Sequence, residues 1–187
     1  GAERVAIEEE QRRVISIIER ITKDAAFIDS GARVSIDTMN SETARAAVAA
    51  GATIINDVSG GLADPEMFSV AAETKATLVI SHWRGHSNIM NTLNSYQDVA
   101  VEVAQELQLR VDAAIASGVP RENIVIDPGL GFAKDMKQNW QLVARLDEIE
   151  KLGLPVLVGA SRKRFIAGAL DEDEPNSVSH EIGRAHV

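Results

Sequence analysis

Polar side chains in this chain gather at the ends of short apolar runs, at Asp37-Thr38, Asn56-Asp57, His82-Trp83, Asp127-Pro128-Gly129 and Ser161-Arg162-Lys163. Taken singly, an Asp or Asn in such a place caps a helix or starts a turn and needs no ligand. Taken together, two carboxylates, an amide and cations suit a flat ligand with donor and acceptor edges. One carboxylate can accept two N–H bonds from a guanidine-like edge.

Two segments sharpen this reading. DPGLGF, residues 127–132, holds two Gly and one Pro, so its backbone can approach a ligand closely while Phe132 offers a face to stack on. A plain Gly-rich connection is the competing account. VGASRKRF, residues 158–165, places Ser161 as a helix cap with Arg162, Lys163 and Arg164 in the first turn. Cations there oppose the helix dipole, so local stability does not explain them; an anion site does, and a solvated basic patch is the competing account. Other chemistry is weaker. Neither GxxxxGK[ST] nor a GxGxxG opening a helix occurs, which removes those nucleotide-binding routes. His82 and His86 lack a third ligand at zinc spacing, and the adjacent Ser81 and His82 project to opposite faces of a strand. The Glu8-Glu9-Glu10 run reads as a solvated helix start.

The elements that must carry these groups alternate. Helical spacing runs from Val5 to Lys23, then come a strand at Arg33–Asp37 and a helix from Ser41 to Ala50. A strand at Thr53–Asp57 leads to a helix over Glu66–Thr74 with Asp64-Pro65 at its start. A third strand covers Thr77–His82, and Ser95 with Asp98 resembles a capping box for a helix reaching Ser117. The fourth strand is Ile124–Asp127, a helix follows over Gln138–Leu152, and a fifth strand at Pro155–Gly159 leads to a helix at Arg162–Leu170. Uniformly apolar strands alternating with helices describe a parallel β/α fold. By count, a five-stranded doubly wound sheet fits. A (β/α)8 barrel missing units at both ends fits the lone opening helix and the unpatterned tail.

Composition narrows the function classes. The 187 residues are 45% hydrophobic and 25% charged, as expected of one ordinary globular domain. A formal charge of -9 argues against nucleic acid and anionic membrane as partners. The absence of Cys excludes disulfides and thiol chemistry, and with neither a membrane-length apolar run nor an export signal the expected location is cytoplasmic.

VSIDT (34–38), GATIINDVSGG (51–61), DPGLGF (127–132) and PVLVGASRKRF (155–165), in this order and spacing, resemble the dihydropteroate synthase family over residues 1–170. The resemblance implies an α/β fold, a partial (β/α)8 TIM barrel with about five parallel strands, lacking two strands in front and one behind. It implies a transferase of folate biosynthesis, and a sulfonamide target, that joins 6-hydroxymethyl-7,8-dihydropterin pyrophosphate to 4-aminobenzoate. Carried over by position, Asp37, Asn56, Asp127 and Lys163 would bind the pterin, with Asp37, Asp127 and Lys163 as the catalytic groups. Val58, Ser81 and Gly159 would shape the pterin pocket, Phe132 would stand beside the aminobenzoate, and Ser161 with Arg162 would lie near its carboxylate. Ser81 departs from the family, which usually has Met before this His.

The resemblance also implies Mg2+, held by loops absent from this span, and a homodimer at full length. This span alone is expected to be inactive, and residues 171–187 are expected to be a disordered or non-native tail. Two alternatives stand beside this reading: a pterin-binding corrinoid methyltransferase domain, whose Ser-Asn motif is replaced here by Ser161-Arg162-Lys163, and a non-catalytic pterin-binding fragment.

Overall fold

The structure is a computed structural model that describes residues 5–86, 89, 92–160 and 163–167. Its centre is a parallel four-stranded sheet of β1 (Ser35–Asp37), β2 (Ile54–Asp57), β3 (Thr77–Ser81) and β4 (Ile124–Asp127), in the order β1-β2-β3-β4. That order decides between the two folds the sequence allows. A doubly wound sheet reverses direction at a switch point, whereas strands added one after another by right-handed crossovers put every helix on the same face. The chain is therefore part of a (β/α) barrel.

Eight helices are described: α1 (Ile7–Thr22), α2 (Ala25–Ser30), α3 (Ser41–Ala49), α4 (Met67–Thr74), α5 (Val99–Ala116), α6 (Met136–Ala144), α7 (Asp147–Glu150) and α8 (Arg164–Ala167). The helix-facing rows of the sheet, including Ile36, Ile55, Leu78, Ile80, Ile124 and Ile126, are buried and form the core with Met67, Val103, Leu107 and Leu142. Ala44 and Ala47 of α3 are fully buried, their small side chains letting that helix lie close against its neighbours.

Several boundaries differ from the sequence expectation. The fifth strand is reduced to one bridge, Ile126 with Val156, closed by Ile126 N–H to Pro155 O and Leu157 N–H to Ile126 O. The helix expected over Gln138–Leu152 breaks into α6 and α7, since Arg145 leaves helical geometry at φ -129 and ψ 39. Asp98 caps α5 by accepting from the Ala100 and Val101 amides, but its capping partner is Glu102, which takes the Gln97 and Asp98 amides, and not Ser95. α2 is a helix for which the apolar spacing gives no signal; Asp24 caps it by accepting from the Phe27 amide, and Gly31 ends it in the left-handed region at φ 66. Ser161, expected to cap the last helix, and the tail beyond Ala167 lie outside the described residues.

Candidate functional site

Period-2 alternation separates the polar strand ends onto two faces. Asp37 pairs in register with Asn56, Asn56 with Val79, and Ser81 with Asp127. Asp37, Asn56, Ser81 and Asp127 therefore share the face opposite the helices, with Asp127 one layer higher along the strands. Asp57, one residue after Asn56, faces the helices instead. It is fully buried, and its carboxylate accepts from the Ser59 amide, the Ser59 hydroxyl and the Gly61 amide. That is a structural role, and it removes Asp57 from the ligand-facing set.

Lys163 completes the cluster from the far end of the chain. Its ammonium lies 4.1 Å from the Phe132 ring centroid, and its charge acts on both Asp37 and Asp127. Burial raises the Asp37 carboxyl, with Asp57 adding repulsion, while the neighbouring Asn56 amide and Lys163 oppose the rise. Burial also raises Asp127, against the Gly129 amide that donates to its Oδ1 at 2.7 Å and the charges of Lys163 and Lys134. Lys163 is itself lowered by burial and held up by the two carboxylates. Asn56 Oδ1 is buried and, among the described residues, has no hydrogen-bond donor in reach, an uncompensated acceptor on the site face.

Around this cluster, Val58 and Phe132 are half-buried, Ser81 is buried beside Asp127, and Gly159 lies in the open with free space where a Cβ would stand. Ser161 and Arg162 lie outside the described residues. The residues present do not suit a Mg2+ cradle. Among the described residues no group of three His, Asp or Glu converges, and the two site carboxylates face Lys163. A hard cation takes several oxygens without a competing ammonium.

Several groups that hold the site escape sequence reading. Glu10 is no solvated helix charge: its carboxylate accepts from Thr38 Oγ1 at 2.7 Å, Asn40 Nδ2 at 2.5 Å and Thr43 Oγ1 at 2.8 Å, tying α1 to the loop after Asp37. His82 is 2% exposed, with Nε2 2.9 Å from Glu106 and Nδ1 3.0 Å from the Lys134 ammonium. Burial pulls His82 down to about 4 and Lys134 down to about 7. Glu106 is held at about 2 by its bonds to His82 and Arg84, which outweigh its own desolvation. The only sequence signal for this network is the odd placing of a His and an Arg after an apolar strand.

The model of the family described as pterin binding enzyme matches residues 1–186. The chain belongs to the pterin binding enzyme family. Among members, it is 42% identical to the dihydropteroate synthase of Synechocystis over 175 residues, covering 94% of this chain and 59% of that protein. The dihydropteroate synthase of Mycobacterium leprae is 45% identical over 88% of this chain and 58% of its own length. A solved dihydropteroate synthase from Stenotrophomonas maltophilia superposes with a TM-score of 0.84 at 37% identity, over 95% of this chain and 63% of that one. The Xanthomonas albilineans enzyme with 4-aminobenzoic acid gives 0.80 at 40% identity, over 90% and 57% of the two chains. This member of the pterin binding enzymes thus spans about three fifths of the length of these four relatives.

Proposed function

We propose that this chain supplies the pterin-binding strands of a dihydropteroate synthase, which displaces pyrophosphate from 6-hydroxymethyl-7,8-dihydropterin pyrophosphate with the amine of 4-aminobenzoate. The observation that carries the reading is the convergence of Asp37, Asn56 and Asp127 on one sheet face, with the Lys163 charge acting on both carboxylates and, among the described residues, no donor on the Asn56 acceptor. A pterin edge offers N–H donors to the carboxylates and to Asn56 Oδ1, and carbonyl and ring-nitrogen acceptors to Lys163.

In the reaction the C–O bond to the leaving pyrophosphate breaks and a C–N bond to the arylamine forms, with a proton lost from nitrogen. The pterin methylene carbon becomes electron-poor as the leaving group departs. Asp37 and Asp127 then place negative charge beside the ring system, an attraction that grows toward the transition state. Phe132 offers the face beside the aminobenzoate, with Ser161 and Arg162 assigned by resemblance to its carboxylate, and Val58, Ser81 and Gly159 to the pterin pocket. No step here runs through Mg2+. The domain is taken as residues 1–170, and a homodimer in the cytoplasm is the proposed setting. Among the described residues no helix is long and apolar enough to cross a membrane.

The corrinoid methyltransferase alternative is not favoured, because the relatives above are dihydropteroate synthases. Calorimetric titration of the purified chain with 7,8-dihydropteroate tests the reading. Saturable binding that 6-hydroxymethylpterin competes away is expected; no binding at millimolar ligand would refute it.

A further inference from the structure

Lys134 is a buried lysine that the reaction does not use. It is 9% exposed, and lysines are rarely so buried without partners. Its ammonium reaches three acceptors: His82 Nδ1 at 3.0 Å, Gly129 O at 3.0 Å and Phe132 O at 3.1 Å. Three acceptors match the three protons of an ammonium. The tautomer of His82 is consistent with this. The Glu106 carboxylate opposite Nε2 can only accept, so Nε2 carries the proton and Nδ1 presents its lone pair to Lys134.

Gly129 and Phe132 bracket the segment that follows Asp127. Gly129 lies so close to His82 that a Cβ there would stand 2.3 Å from the His82 carbonyl oxygen. A second clamp acts on the same turn: Asn139 Oδ1 accepts from the Gly131 amide at 2.7 Å, and its Nδ2 donates to the carbonyls of Lys134 at 3.2 Å and Asp135 at 2.7 Å. The contacts form a continuous line from Glu106 on α5, through His82 after β3, to Lys134 and the turn after β4.

We propose that Lys134 is a positioning residue, whose three hydrogen bonds lock the turn 129–132 against His82 and so hold Asp127 and Phe132 in place for the ligand. The lock itself is independent of ligand identity; its effect on binding rests on the dihydropteroate synthase reading.

Amide hydrogen exchange on the purified chain is the test. The Gly129 and Phe132 amides are bonded to Asp127 Oδ1 and Gly129 O, and the Gly131 amide to Asn139 Oδ1 on α6. In Lys134→Met they should exchange about tenfold faster or more, the equivalent of one lost charge-assisted bond, while amides of β2 and β3 keep their protection. Unchanged turn amides would overturn the lock. Should that variant not fold, the unaltered chain decides. At pH 6 the Lys134 ammonium should give a slowly exchanging nitrogen cross-peak with contacts to Gly129 and Phe132, and a freely exchanging ammonium would overturn the lock equally. The dissociation constant for 7,8-dihydropteroate should rise about tenfold in Lys134→Met. A loosened turn with unchanged binding would overturn the positioning role. A wild-type chain that binds no dihydropteroate would refute the functional reading and leave the exchange result standing.

Discussion

The ammonium of Lys163 stands 4.1 Å from the centroid of the Phe132 ring. The contact joins the segment after the last bridge to the turn after β4, and its cation also acts on Asp37 and Asp127. One side chain thereby couples the aromatic face of the site to its carboxylate face.

Removing that cation should change the carboxylates before it changes the fold. Lys163 lowers both Asp37 and Asp127, so Lys163→Ala should raise the pKa of each. A carbon-detected titration of the Asp carboxyls would show it, and unmoved titrations would mean that Lys163 does not face them in solution.

Asp127→Asn should bind 7,8-dihydropteroate about 10- to 100-fold more weakly, the effect of losing a charged acceptor. The amide oxygen can still accept from the Gly129 N–H, so the melting temperature should stay close to that of the wild type. Unchanged affinity by calorimetry would remove Asp127 from the ligand contacts.

Gly129 and Gly153 share a φ of 65, but only Gly129 has backbone where a Cβ would be, with His82 O at 2.3 Å against Arg121 Nη2 at 3.7 Å for Gly153. Gly153→Ala should cost about 1 kcal/mol from the left-handed backbone. Gly129→Ala should cost more than about 2 kcal/mol, because the turn must also move. Urea unfolding of both variants checks the difference, and equal midpoints would contradict the packing of this turn.

Acidification should weaken the fold through His82. Its pKa drops from 6.5 unfolded to about 4 folded, so the unfolded chain binds more protons between these values. Stability contributed by neutral His82 is present above pH 6.5 and is lost as pH falls toward 4, at no more than about 1.4 kcal/mol per pH unit. His82→Gln lacks this loss, so its deficit against the wild type should shrink between pH 7 and pH 4.5. A constant deficit would show that His82 titrates normally.

Much of the architecture was legible because short-range physics writes it into the chain. Uniformly apolar strands between amphipathic helices encode burial on both faces, and Asp98, Gly51 and Gly118 mark helix ends by capping and backbone freedom. The family motifs likewise mark Asp37, Asn56, Asp127 and Lys163 by residue type and spacing alone. The sequence by itself thus determined the parallel β/α class and most of the polar groups at the strand ends.

Tertiary structure decided the rest, because the rest depends on partners far apart in the chain. Asn56 and Asp57 look alike as neighbours after a strand. Only register and the side chosen by the crossovers send one to the face opposite the helices and the other into three structural hydrogen bonds. The sequential strand order excludes the doubly wound sheet that element counting fits. Glu10 became a tether, and Lys134 met His82 across 52 positions, through long-range contacts that no local pattern encodes. A buried charge is tolerable only where the fold brings acceptors to it, and that condition exists only in the folded chain.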